Sequence, residues 1–200
     1  MTALYPITLA DIRAHGPCEE GWVKLLRALG SPPKSRWSDI HVTLGDIAHF
    51  NGVADAIWCA RVLPDDAKRY VLRALLPSVR RAATHTTDKR VHDCINAVAR
   101  WVNGDDNVNL TMAEEAVYAA REAAGLSDVS RAAAWTAWTV WAMASVSVSE
   151  AEAWAVWAMA SVSATDADVD VDTAIDDERA RQRADIIAVF GRLHKTEAAA

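Results

Sequence analysis

Two hundred residues, 52% of them hydrophobic, can bury one substantial core, and this length favours one domain or two closely packed halves. The three cysteines, Cys18, Cys59 and Cys94, are widely separated, odd in number and never in a C-x-x-C arrangement, which speaks against a disulfide framework or a zinc knuckle and fits a reducing cytosol. The net charge of −6 hides an asymmetry: residues 1 to 104 hold 14 Lys/Arg against 10 Asp/Glu, and residues 105 to 200 hold 7 against 17, a balance that bears on partners and not on fold.

The first residues, MTALYPITLAD, have neither a basic leader nor an apolar run, so no secretory signal is expected there. Thr8 with Asp11 predicts a short helix ended by Gly16-Pro17. Glu19 to Leu29 predicts a second, stopped by Gly30 and Pro32-Pro33, with Trp22, Val23, Leu25, Leu26 and Leu29 mostly on one side and Trp22 in the core. After a polar loop through Trp37, Thr43 opens another short helix that closes at Asn51-Gly52. Val53 to Leu63 follows, carrying Ile57, Trp58 and Val62. Pro64 suits the first position of the next helix, whose Tyr70, Val71, Leu72, Leu75, Leu76 and Val79 are apolar. Pro77 either kinks or ends it.

From Thr87 the run VHDCINAVARWV is helical to Asn103-Gly104, and Thr111 with Glu114 opens a helix that Gly125 ends. Then comes AAAWTAWTVWAMASVSVSEAEAWAVWAMASVS, in which VWAMASVS occurs twice, from Val140 and from Val156. Trp135, Trp138 and Trp141 are three apart, and Trp154 and Trp157 repeat the last two. A single helix would rotate the second copy by roughly 160° from the first, whereas Ser149 with Glu152 marks a new helix start. We therefore expect a Trp-rich αα-hairpin near residues 130–163, its rings packed over Ala, Ser and Thr of the partner helix. A membrane span over the uncharged residues 132 to 149 is disfavoured by that small polar filler and by rings in mid-segment, leaving no membrane expected. Last, Asp176 to Leu193 reads as a terminal helix, with Ala184, Ile187, Ala188 and Phe190 on its apolar side. The fold class is all-α: a single domain over residues 1–200, built as a multi-helix bundle or a HEAT-like stack of helix pairs, with a basic half (1–104) and an acidic half (105–200).

The sharpest chemical feature is TDADVDVDTAIDDE from Thr165 to Glu178, with seven acids and no base. If extended, Asp166, Asp168, Asp170 and Asp172 fall on one side about 6 to 7 Å apart, comparable to successive phosphates of a nucleic-acid strand. The segment is then a partner-binding surface of Asp166, Asp168, Asp170, Asp172, Asp176, Asp177 and Glu178, or else a solvated acidic loop. A calcium loop fits poorly, since Val171 stands where the sharp turn requires Gly and Asp177 where Glu is expected. His85, His92 and Cys94 match no metal motif. Arg69, Arg73 and Arg80 share one helix side without the aromatic interleaving of a nucleic-acid surface, so they read as a solvated basic face. With no phosphate loop, nucleophile elbow or H-E-x-x-H, no catalytic residue, metal or cofactor is expected and the chain reads as a non-enzyme. A Trp-lined ligand pocket near Trp135, Trp138 or Trp154, in a small enzyme or binding protein, is the alternative of another class.

Three segments carry a family resemblance: ITLADIRAHGPCEEGWVKLL from Ile7, FNGVADAIWCARVL from Phe50 and ERARQRADIIAVFGRL from Glu178. Together they resemble the all-helical immunity protein family associated with bacterial polymorphic toxins, which has relatives in phage and other mobile elements. Ala/Trp-rich runs are common in that family, and the Asp-Val run departs from it. The resemblance implies a cytoplasmic, stoichiometric protein-binding inhibitor that occludes its target, with no catalytic residues to carry over. The expected partner is a protein, either a toxin or nuclease or, as in an anti-CRISPR-like nucleic-acid mimic, a host defence complex, with no direct nucleic-acid contact. An acidic half suits a basic target through steered association.

Overall fold

The computed structural model describes residues 5–84, 89–105 and 171–194. Among these residues the fold is all-α: seven helices, two short 3-10 turns and one two-residue antiparallel pair of strands. The Trp-rich hairpin near residues 130–163, the helix expected from Thr111 to Gly125 and the stretch 132–149 all lie outside the described residues. No helix among the described residues is long and apolar enough to cross a membrane. The chain divides into two compact units, Met1–Val71 with Arg183–Ala200, and Leu72–Gln182. The division does not follow the charge asymmetry, because the first unit takes residues from both ends of the sequence.

In the first unit, β1 (Ile7–Thr8) pairs with β2 (His41–Val42), Ile7 opposite Val42. This pair is the one departure from a purely helical expectation. It forms because the chain enters α1 (Leu9–Ala14) directly from β1, and the Leu9 and Ala10 N–H groups, orphans of the helix start, donate to the Ile40 and Trp37 carbonyls. Thr8 caps α1 reciprocally: its hydroxyl accepts from Asp11 N at 3.0 Å, and Asp11 accepts from Thr8 N at 3.2 Å. The Thr8 hydroxyl also donates to Asp11 Oδ2 at 2.6 Å, and this bond first, then the one from Thr8 N, holds the Asp11 carboxyl below its usual range. α2 (Glu19–Ala28) buries Trp22 and Leu25. Trp22 meets Trp37 edge-on with ring centroids 4.9 Å apart, and the Trp37 indole N–H donates to the Pro32 carbonyl. Val23, by contrast, is 41% exposed, so the buried side of α2 is narrower than its apolar composition suggests.

α3 (Leu44–Phe50) starts at Thr43, as its sequence predicts, and α4 (Val53–Cys59) continues into a 3-10 turn over Ala60–Val62. α3 packs on α2, on α4 and on β2. Leu44, Ile47, Ala48, Ala56 and Ile57 are buried. α5 (Asp65–Ala83) begins just after Pro64 and runs unbroken through Pro77. Pro77 therefore does not end the helix; that alternative is excluded.

In the second unit, α5 buries Leu72, Leu75, Leu76 and Val79, and α6 (Lys89–Val102) buries Ile95, Val98, Ala99 and Val102 at three- and four-residue intervals. Gly104, at φ +82°, follows the end of α6. α7 (Val171–Phe190), which belongs to this unit as far as Gln182 and to the first from Arg183, starts five residues earlier than its sequence suggests. Its buried row is Glu178, Gln182, Ile186 and Phe190, each four residues from the last and none more than 3% exposed. Ala184 and Ala188, expected on the apolar side, are exposed and Ile187 is half-buried. Two polar residues occupy the inward row over the first half of the helix, so hydrophobicity alone misplaces that row.

Candidate functional site

The acid-rich segment is helical from Val171 onward, which replaces the extended spacing of about 3.3 Å per residue with a rise of about 1.5 Å. Asp172 lies in the first turn of α7, so it cannot continue a phosphate-like row with Asp166, Asp168 and Asp170, which lie outside the described residues. The helix also excludes the calcium-loop alternative, because residues 171–177 cannot belong to a twelve-residue ligand loop. Asp176 and Asp177 are exposed, and Asp176 meets Arg179 one turn on at 3.4 Å. Such a solvated pair contributes little. Arg179, Arg181 and Arg183 are exposed too, so the acidic surface on α7 is short and followed by base.

Glu178 does not belong to that surface. It lies about 200° around the helix from Asp176, and it is 3% exposed. Its Oε1 accepts from Ser78 Oγ at 2.6 Å and Arg81 Nη2 at 2.7 Å, and its Oε2 accepts from Arg81 Nε at 3.1 Å. Arg181 stands at 3.6 Å. A bidentate guanidinium and a hydroxyl together satisfy a carboxylate that burial would otherwise penalise heavily. The sequence shows seven acids within fourteen residues; only the phase of the helix reveals that one of them is an internal fastener.

A second buried carboxylate, missed by sequence reasoning, organises the other unit. Asp46 is fully buried in the first turn of α3. Its Oδ2 accepts from Thr43 N at 3.0 Å and from Leu193 N at 3.1 Å, and its Oδ1 accepts from His194 N at 3.0 Å. The Thr43 hydroxyl accepts from Asp46 N and lies within donating distance of both the Gly191 carbonyl, 2.8 Å, and Asp46 Oδ2, 3.0 Å. His194 Nε2 donates to the His41 carbonyl at 2.7 Å. Residues Gly191–His194 thus form a strap that fastens the end of α7 onto the capping box of α3. Gly191, at φ +65°, turns the chain into the strap. Gly45 makes room for it, since a Cβ there would lie 2.9 Å from the Gly191 carbonyl carbon and closer still to its oxygen. The Thr-x-x-Asp spacing at Thr43 was a readable signal for the cap, while the 148-residue link to His194 left none.

The other candidates scatter. Arg69, Arg73 and Arg80 are exposed along α5, as a solvated basic face requires, and Arg69 lies 5.3 Å from the Tyr70 ring. His92 is half-buried on α6 and His85 lies outside the described residues, among which no group of three His, Cys, Asp or Glu is placed to hold a metal. Cys18 is exposed at the start of α2, its sulfur accepting from Gly21 N at 3.4 Å. Burial, with Asp55 nearby, pushes the Cys59 thiol up to about 12. Comparison of the chain with protein-family models, with curated proteins and with solved structures returned no match. The chemistry of the site is that of two buried carboxylates, each saturated by internal donors, and one short exposed pair, Asp176 and Asp177, on a helix that one of those carboxylates fixes.

Proposed function

We propose that this protein is a stoichiometric protein-binding inhibitor of the immunity type, which neutralises a basic toxin or nuclease in the cytoplasm by occluding it. The observation that carries the reading is the neighbourhood of Glu178. A buried, bidentate ion pair to Arg81 fixes the rotation of α7, and the residues just before Glu178, Asp176 and Asp177, point their carboxylates into solvent. A rigid helix that presents charge loses little conformational entropy on binding, and opposite charge on the partner speeds encounter. The family resemblance of three separate segments and the acidic second half of the chain support the same reading. Asp166, Asp168, Asp170 and Asp172 extend the proposed surface in sequence.

The test is affinity capture from the native host with the wild-type chain and with Asp176→Asn/Asp177→Asn, followed by identification of the retained protein and native mass spectrometry of the complex. We expect a basic protein in defined stoichiometry, retained less by the double variant. Equal retention by both chains would remove these aspartates from the interface, and a complex without fixed stoichiometry would contradict inhibition by occlusion. A retained component of a defence complex, in place of a toxin, would keep the mechanism and change the target.

A further inference from the structure

The sequence holds two Asn-Gly pairs, Asn51-Gly52 after α3 and Asn103-Gly104 after α6. Asparagine before glycine is the amide most open to attack from its own chain, because a residue without a side chain leaves its backbone nitrogen unshielded. In both pairs that nitrogen is held in the same way: Gly52 N donates to the Ile47 carbonyl at 3.3 Å and Gly104 N to the Trp101 carbonyl at 3.0 Å. The backbone therefore does not separate them, but the side chains do. Asn51 is half-buried, and its Nδ2 donates to the Gly21 carbonyl and to Asp55 Oδ2, each at 2.7 Å. Lys24 Nζ donates to the Asn51 carbonyl at 2.9 Å. These partners lie on α2 and α4, so freeing the Asn51 amide means parting the end of α3 from both neighbours. Asn103 is exposed, and no described residue holds its side-chain amide. Its N–H and those of Gly104 and Asp105 reach back only to carbonyls of Ala99, Arg100 and Trp101, and the pair of Arg100 Nε with Asp105 Oδ2, at 2.7 Å, is equally local. Such a last turn opens without disturbing the packing behind it.

We propose that Asn103 is a site of spontaneous deamidation, and that the fold withholds the same chemistry from Asn51. When the last turn of α6 opens, the Gly104 nitrogen gives up its proton to water and attacks Asn103 Cγ. The new C–N bond closes a five-membered succinimide ring, the bond from Cγ to Nδ2 breaks, and Nδ2 leaves as ammonia with a proton returned from water. Water then adds to either ring carbonyl and opens the ring to aspartate or isoaspartate. Water is the sole co-reactant, and nothing is oxidised or reduced. The product carries one more negative charge at the C-terminal end of α6, where the helix dipole disfavours it. It lies beside Asp105 and competes with it for Arg100. Isoaspartate also lengthens the backbone by a methylene, which spoils the bonds from Gly104 N and Asp105 N back to the helix. At Asn51, a bond to a neutral carbonyl and a bond to a carboxylate must both open first, which together slow the reaction by about 50-fold or more.

The test incubates the full-length chain in mildly alkaline heavy-oxygen water, native in one sample and unfolded by guanidinium in another. Peptide mass spectrometry with fragmentation then follows each asparagine over time. In the native chain Asn103 is expected to convert, taking up heavy oxygen and giving both aspartate and isoaspartate, while Asn51 converts at least about 50-fold more slowly. In guanidinium the two should convert at similar rates, since each is followed by glycine and neither is held. An Asn103 that converts only after unfolding would overturn the assignment. So would an Asn51 that keeps pace with Asn103 in the native chain, because its two side-chain bonds would then hold nothing back.

Discussion

Gly45→Ala separates the strap from ordinary helix propensity, because the two predict opposite signs. In an exposed helix, alanine is favoured over glycine by about 1 kcal/mol. Here the new methyl would meet backbone, not a yielding side chain: the Gly191 carbonyl carbon at 2.9 Å, with its oxygen nearer. Relief requires the strap to retreat. That breaks the bond from the Thr43 hydroxyl to the Gly191 carbonyl and strains the two N–H bonds from Leu193 and His194 to the Asp46 carboxylate. A neutral bond contributes about 1 kcal/mol net and a bond to a charged acceptor about 1.5 to 3 kcal/mol. Losing the first and weakening the other two by half costs about 2.5 to 4 kcal/mol, and subtracting the propensity gain leaves a net destabilisation of about 1.5 to 3 kcal/mol. Urea unfolding followed by tryptophan fluorescence and far-UV circular dichroism gives the number. The same substitution in a chain truncated after Phe190 should no longer destabilise, since the clashing carbonyl is gone. A stabilised full-length Gly45→Ala would refute the strap.

Glu178→Ala should destabilise the second unit by about 2 to 4 kcal/mol, because it leaves Arg81 and Ser78 without their shared acceptor; the lower part of that range is expected, since Arg81 keeps 32% of its side chain in solvent. Asp176→Ala, two residues away and exposed, should stay within about 0.5 kcal/mol of wild type in the same urea titration. Under native conditions near neutral pH, iodoacetamide should label Cys18 and spare Cys59, whose thiol is buried and pushed up to about 12, and denaturation should abolish the difference on peptide mass spectra. Rapid native labelling of Cys59 would mean that α4 opens far more readily than its burial suggests.

What the sequence made legible is what depends on near neighbours. Thr8 with Asp11, Gly30 and Thr43 mark helix ends through bonds to residues at most four positions away, and each of those ends lies where the local pattern indicates. Trp22 was readable as core because its apolar neighbours on α2 have helical spacing. The strap was not readable. Gly45, Asp46 and Gly191 each have an ordinary local role, and only the fold brings them together. α7 shows the converse failure: Glu178 and Gln182 lie in its buried row, so a rule that sends charge outward places Glu178 on the surface and shifts the expected apolar side to Ala184 and Ala188. The partner of Glu178, Arg81, is 97 residues away and was indistinguishable in sequence from the solvated arginines beside it.

The proposal that this chain works by presenting fixed negative charge to a basic protein meets its most direct test in the salt dependence of affinity. The captured partner, once purified, would be titrated at low and high ionic strength against the wild type and against Asp176→Asn/Asp177→Asn. The account predicts wild-type binding that weakens as salt rises, and a double variant that binds less tightly at low salt with a shallower dependence. Two chains with the same affinity and the same slope would contradict it.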